Sequence, residues 1–130
     1  MTSESLLLDT HAFFWYAIGN SALPEALRVT IEEAAEVYVS AASVWEIRTK
    51  HRLGKMPAAN AIAHVLPETI ARLSFRTLAV DVFDGDRAGA FVAAHRDPFD
   101  RMLAAQALNR GLALVSNDAA LDAFGVRRVW

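Results

Sequence analysis

Short apolar runs alternate along this chain with longer stretches of helical character, the pattern of a parallel sheet covered by helices. Ser5 to Leu8 reads as the first strand, and its lack of polar alternation suits a strand buried on both faces. A helix is expected from Thr10 or His11 to about Ile18, ended near Gly19-Asn20, and a second from Leu23 to about Ala35 with Pro24 in its first turn. Val37 to Val39 is a short strand, after which Ser40 caps a helix running to about Arg52 and stopped by Gly54. A helical pair fills Ala58 to Leu73, broken near Pro67. Thr77 to Val80 then reads as a strand, and Asp84 or Gly85 to about Ala94 as a helix. Asp97 caps the next helix, with Pro98 at its first position and Gly111 at its end. Leu112 to Val115 is a strand, Asn117 to about Ala123 a short helix, and Arg127 to Val129 an edge strand. No repeat, linker or low-complexity tract interrupts the pattern, so residues 1–130 are expected to form one α/β domain.

Asp9 closes the apolar run Leu6-Leu7-Leu8, and Asp118 follows Leu112 to Val115 after only Ser116 and Asn117. In an open parallel sheet, ligands bind beyond the carboxyl ends of the strands, where strand order reverses. If the first and fourth strands are neighbours there, these two carboxylates face one crevice. Glu46 stands on the second turn of the helix after the second strand, and Asp100 in the first turn of the helix begun by Asp97 and Pro98.

Each acid also has an ordinary explanation. Asp9 and Asp118 suit helix caps, Glu46 suits an exposed pair with Lys50 four residues on, and Asp100 stands where a helix dipole favours a carboxylate. Four segments delivering acids to one rim is the more informative reading. Two carboxylates about 4 Å apart repel by roughly 4 kcal/mol near a protein surface, so protons or cations must resolve such a cluster. Oxygen ligands select hard ions such as Mg²⁺ or Mn²⁺, and a carboxylate-held ion suits phosphodiester hydrolysis. Ser116 and Asn117 are candidates for orienting Asp118 or a metal-bound water, or simply for turn chemistry; Thr10 could hydrogen-bond a metal ligand or a phosphate, or merely start its helix; Asp97, chiefly a cap, could instead support the metal ligands. The four histidines, His11, His51, His64 and His95, show no shared metal-ligand spacing, and Trp15, Trp45 and Trp130 read as core or interface residues.

Composition narrows this chemistry. There is no cysteine, which removes disulfides, thiolate metal sites and thiol nucleophiles, and there is no Gly-x-Ser-x-Gly elbow or phosphate-cradling glycine loop. A net charge of −2 writes no broad nucleic-acid surface into the chain. Yet Arg48, Lys50, His51, Arg52 and Lys55 fall close together, and no acid occurs between Glu46 and Glu68. That stripe would suit a polyanion, with Arg48, Lys50, Arg52 and Lys55 as contacts, or simply a helix end favoured by cations. Met1-Thr2-Ser3-Glu4 lacks the basic start of an export signal, and no apolar run reaches the roughly 18 residues of a membrane span, so a cytoplasmic protein without membrane contact is expected.

Four blocks carry a family resemblance. Leu6-Leu7-Leu8-Asp9-Thr10-His11-Ala12 with Val39-Ser40-Ala41-Ala42-Ser43-Val44-Trp45-Glu46-Ile47, His95 to Ala107, and Leu114-Val115-Ser116-Asn117-Asp118 resemble the toxins of VapBC toxin–antitoxin pairs, which are PIN-domain ribonucleases. Leu53-Gly54-Lys55-Met56 and Val126 to Trp130 match the same branch, so the resemblance spans nearly the whole chain. It implies a three-layer α/β/α domain with a five-stranded parallel sheet whose first and fourth strands are adjacent. It also implies that Asp9, Glu46, Asp100 and Asp118 surround Mg²⁺ or Mn²⁺, with Asp9 and Asp100 as direct ligands and Glu46 and Asp118 direct or water-mediated. The implied activity is RNA cleavage that arrests translation, by a homodimer silenced by a cognate VapB-like antitoxin. The resemblance lapses between Val82 and Asp86, where Phe83-Asp84-Gly85-Asp86 replaces a histidine-containing segment. Two other readings stay open: a metal-dependent phosphatase of another α/β family, against which stands His11 where a second Asp is expected, and a non-catalytic protein-binding module.

Overall fold

The computed structural model describes residues 4–130; Met1-Thr2-Ser3, read above for the lack of a basic leader, lie outside the described residues. Strands β1 (Ser5–Leu8), β2 (Glu36–Ser40), β3 (Arg76–Leu78), β4 (Ala113–Val115) and β5 (Arg128–Val129) form one parallel sheet in the order β3-β2-β1-β4-β5. The chain builds outward from β1 to β2 and β3, then crosses to β4 on the other side of β1. The reversal therefore lies between β1 and β4, as the strand-end acids required. Backbone pairing continues past the strands: Asp9 N–H donates to the Val115 carbonyl at 3.0 Å and Ser116 N–H to the Val129 carbonyl at 3.1 Å.

Leu6, Leu7 and Leu8 are fully buried because helices cover both faces of β1. Successive side chains on a strand point to opposite faces. Leu6 and Leu8 join a core with residues of α1 (Thr10–Ile18), α2 (Glu25–Glu33), α3 (Ala41–Arg52), the 3-10 turn Pro57–Ala61 and α4 (Leu66–Arg72). Leu7 joins a second core with Leu103, Ala104 and Ala107 of α6 (Pro98–Arg110), and with Leu121 and Phe124 of the 3-10 helix Ala119–Phe124. These are the two outer layers of an α/β/α sandwich. Burying each such leucine contributes roughly 1.5–3 kcal/mol.

Local chemistry explains most element ends, and where boundaries differ from expectation. Ser40 and Asp97 cap α3 and α6 as expected, and Gly111 closes α6 at φ 64°. The second helix begins at Glu25, two residues late, because Leu23 N–H is taken up in a turn with the Asn20 carbonyl and Pro24 is extended. Pro67 lies in the first turn of α4, where its missing N–H costs nothing, so it starts the second helix of the pair. The third strand is Arg76–Leu78, earlier than Thr77 to Val80, because it pairs with Tyr38 to Ser40 of β2. The last helix is a 3-10 helix beginning at Ala119 after its cap Asp118.

The largest shift is α5 (Val82–Ala90), expected from Asp84 or Gly85 to about Ala94. Asp81 and Asp84 make a reciprocal capping box: the Asp81 carboxylate accepts from Asp84 N–H at 2.9 Å, and the Asp84 carboxylate from Asp81 N–H at 3.0 Å. The box starts the helix early and leaves Val82 and Phe83 exposed. Its end is early too, because carbonyls beyond Ala90 are drawn into contacts with Arg101 described below.

Asp84 is wholly buried and is held from α6 by Arg110 at 2.7 and 2.9 Å and by Asn109 at 2.9 Å. Burial opposes its charge, but the Arg110 guanidinium, the Asp81 N–H and Asn109 together hold the carboxyl well below the usual carboxylate range. This cluster clamps α5 to α6. Arg110→Ala, which strands the buried carboxylate, is expected to destabilise the fold by about 3 kcal/mol near neutral pH in urea denaturation. Because the folded-state value is depressed, the wild-type contribution is present above the ordinary carboxylate range and lost on acidification; the gap between the two proteins should close in acid.

Candidate metal centre

Asp9, Thr10, His11, Glu46, Lys50, Asp97, Asp100, Asn117 and Asp118 line one cavity of about 400 Å³ at the β1–β4 reversal. The four acids arrive from four places: the end of β1, the second turn of α3, the first turn of α6 and the turn after β4. The capping explanations of Asp9 and Asp118 also hold. Asp9 caps α1 by accepting from Ala12 N–H at 2.8 Å, and Asp118 caps its 3-10 helix by accepting from Ala120 N–H at 3.0 Å. Capping engages one carboxylate oxygen through the helix N-terminus, and the cap position is what turns the side chain toward the crevice.

Glu46 departs from the surface-pair expectation. It is 4% exposed, its Oε1 accepts from the Thr10 hydroxyl at 2.6 Å, and its Oε2 meets Lys50 Nζ at 2.5 Å. Thr10 Oγ1 also bonds Ser43 Oγ at 3.0 Å, which ties α1 to α3 beneath the cavity. Lys50, with its side chain 36% exposed, is the one residue of the basic stripe lining the cavity. The hydrogen bond it donates to Glu46 raises the Lys50 ammonium above its ordinary value. Arg48 turns away, donating to the Ala63 carbonyl at 2.7 Å and contacting His64. Arg52 and Lys55 are exposed and do not line the cavity, so the stripe is not one continuous face.

Asp97 accepts from Phe99 and Asp100 N–H at 2.9 and 3.1 Å, so its capping role is real, and it lines the cavity as well. Ser116, fully buried, accepts from Asp118 N–H at 3.1 Å and hydrogen-bonds toward Asp9. Asn117 lies on the cavity wall.

Asp9 carries the strongest electrostatic signature. Burial pushes its carboxyl up to about 6, with the Asp100 charge adding to the rise; Ser116, the Ala12 N–H and His11 oppose it. Burial raises Asp100 as well, offset in part by a hydrogen bond with His95 and reinforced by Asp97 and Glu46. Carboxyls raised this way favour any cation that replaces their protons. His95 Nε2 lies 2.8 Å from Asp100 Oδ2, and one ligand atom each from His95, Asp100 and Asp118 lie within 4.8 Å of one another. The histidines offered no metal spacing in sequence, and His95 is the group that reading passed over. Its only signal was the short step from His95 to Asp100 in His-Arg-Asp-Pro-Phe-Asp.

The donor set is oxygen-rich, half-buried and short of positive charge, which fits a hard divalent ion held by two or more carboxylates. The sequence matches the PIN domain over residues 6–126. This chain belongs to the PIN-domain family. Solved structures of similar shape include a DNA-bound VapBC complex from Salmonella typhimurium, at 19% identity and TM-score 0.66, covering 98% of each chain. FitAcB from Neisseria gonorrhoeae is similar at 21% identity and TM-score 0.66, covering 96% of each chain, as is a toxin–antitoxin complex from Klebsiella pneumoniae at 15% and 0.64, again covering 96% of each. No curated protein matches the sequence. At these identities the PIN chain's likeness to the three structures is one of fold.

Asp9 yields a test of the site. With its folded-state value raised, the protonated form stabilises the ion-free PIN domain at acid pH, and that contribution is lost as pH rises through about 6. Asp9→Asn should therefore stabilise the ion-free protein at about pH 8 by on the order of 1–3 kcal/mol, and remove much of the stabilisation that added Mg²⁺ or Mn²⁺ confers. Thermal melts in EDTA and in excess ion read both effects; an unchanged response to the ion would count against Asp9 as a ligand.

Proposed function

We propose that this PIN domain is a divalent-metal-dependent endoribonuclease, the toxin of a type II toxin–antitoxin pair, acting in the cytoplasm as one catalytic domain over residues 1–130 and arresting translation by cutting RNA. The observation that carries the reading is the convergence of Asp9, Glu46, Asp100 and Asp118 on a single cavity at the sheet's reversal point. PIN domains are generally nucleases, and the VapBC and Klebsiella pneumoniae structures of the same fold are toxin–antitoxin complexes.

Asp9 and Asp100 would hold Mg²⁺ or Mn²⁺ directly, with Glu46 and Asp118 as direct or water-mediated ligands. When bound, such an ion supplies activation of a water and neutralisation of charge on the leaving oxygen. The remaining roles fall to the chain itself. Thr10 fixes Glu46 at 2.6 Å, and Ser116 steadies both Asp9 and the Asp118 backbone. Lys50, which pairs with Glu46 and lines the cavity, would meet a phosphate of the substrate there. Asn117, on the wall, offers an amide to the substrate or to Asp118. Arg52 and Lys55 would contact the RNA away from the cut, where their exposure leaves them available; Arg48 would have to release Ala63 to join them.

An antitoxin and a second copy of the chain are the proposed protein partners. Support comes from an apolar cleft of about 430 Å³ lined by Ala41, Ala42, Trp45, Val80, Phe99 and Met102, beside the cavity. Trp45 is 66% exposed although its ring packs edge-on against Phe99 at 5.1 Å. Among the described residues, no helix is long and apolar enough to cross a membrane.

The purified protein should cleave RNA with Mg²⁺ or Mn²⁺ and lose that activity in EDTA. Asp100→Asn and Asp9→Asn should each cut at least about 100-fold more slowly, since even outer groups around a bound metal cost 10–100-fold when removed. Cleavage mapping on total RNA measures this. Full activity in either variant would refute the assigned site, and turnover of small phosphoesters without RNA cleavage would turn the assignment to a phosphatase.

A further inference from the structure

Between α5 and α6, residues 91–97 form neither helix nor strand, and they carry His95. One side chain holds this segment. Arg101 donates from Nε to the Ala88 carbonyl at 3.0 Å, from Nη2 to Phe91 at 2.6 Å, and from Nη1 to Ala93 at 3.2 Å and His95 at 2.9 Å. Four carbonyls on one guanidinium is a task for a rigid fork of donors; a lysine ammonium has neither the reach nor the planar geometry. The guanidinium also lies against the rings of Phe91 and Phe124, at 5.8 and 5.9 Å. Phe91 packs on Phe124 at 4.6 Å, and the His95 ring stands edge-on to Phe124 at 5.7 Å.

Arg101 is thus the residue after Asp100, on the same helix, yet it points away from the cavity and grips the loop that returns to it. The loop's far end places His95 Nε2 on Asp100 Oδ2. Phe124, which braces the His95 ring, ends the 3-10 helix that Asp118 caps. Arg101, His95 and Phe124 therefore connect two of the four acids without any of the three lining the cavity.

We propose that Arg101 and His95 act in series as positioning residues: Arg101 fixes the 91–97 segment, and His95, held there, orients the Asp100 carboxylate toward a divalent ion. The inference rests on the metal-site reading above. The terminal torsion of an aspartate is broad, so its carboxylate has no fixed orientation of its own. An imidazole N–H on Oδ2 fixes that rotation and leaves Oδ1 available to an ion in the cavity that Asp100 lines. Groups that hold metal ligands in this way are worth 10–100-fold in ion affinity.

Mn²⁺ affinity, measured by calorimetry on the full chain, tests the series. His95→Ala should weaken binding about 10–100-fold, while His95→Gln, which keeps an N–H donor, should stay within about threefold of wild type. Arg101→Lys should reproduce the His95→Ala loss, and the double variant should lose no more than either alone, because both act through one carboxylate. Thermal melts in EDTA separate lost folding from lost orientation; should the Arg101 variant fail to fold, the two His95 variants decide the matter. A His95→Ala protein that binds like wild type, or a double variant whose losses multiply, overturns the series. Nitrogen coupling to bound Mn²⁺ that vanishes in His95→Ala overturns it too, by making His95 a ligand. A wild type that binds no ion, with Asp100→Asn as its reference, would instead sink the metal site itself and this role with it.

Discussion

The hydrogen bond from Asp9 N–H to the Val115 carbonyl ties the end of β1 to the end of β4, and the rest of the site depends on it. It extends the pairing of the two strands by one residue at the point where the sheet's order reverses. Asp9 is thereby committed to the rim, and Ser116 is drawn under it. From there the constraint is electrostatic. Asp9 is 7% exposed, has other acids for neighbours, and cannot disperse its charge into water. The surroundings answer with local donors: the Ala12 N–H, Ser116, and the Thr10 and Lys50 contacts to Glu46. These moderate the charge without cancelling it, which is the physical basis for reading the cavity as a cation site.

Several side chains serve structure and chemistry together. Asp9, Asp97 and Asp118 are caps, and capping is what aims them. An N-cap carboxylate must turn back over the first turn of its helix, and three helices here begin at the same rim. Asp9 and Asp118 stand at strand-to-helix junctions, and in a parallel sheet every such turn on one edge opens the same way; Asp97 reaches the rim instead from the segment between α5 and α6.

The two halves of the sandwich differ in how they are held. One face of β1 packs into a broad aliphatic and aromatic core with α1 to α4. The other depends more on polar clamps from α6: Arg110 and Asn109 on buried Asp84, and Arg101 on four carbonyls. Gln106 adds a bond to the Ala79 carbonyl at 3.1 Å. Helix α6 is both the main cover of that face and the carrier of Asp97 and Asp100, so its clamps bear on the geometry of the site as well as on stability.

Much of this was readable from residues alone, because the signals are local. The buried run before Asp9, the cap-and-proline start at Asp97-Pro98, and the glycine stops at Gly54 and Gly111 each act within a few positions of chain. They were enough to indicate the parallel sheet, the strand-end acids and the four segments that bear them. Other features arise between segments distant in sequence. Glu46 became buried because Thr10, thirty-six residues earlier, hydrogen-bonds it. Lys50 was drawn into the cavity while Arg48 was turned to Ala63, although both stand on one helix. The start of α5 moved because Asp81 and Asp84 capped each other, and Asp84's burial was decided by Arg110. His95 joined the acids only because Arg101 folded a loop back upon them. Hydrophobic pattern and capping act over one or two turns and are written into the chain. The direction of a long polar side chain depends on which distant carbonyl or carboxylate it meets, and only the packed structure settles that.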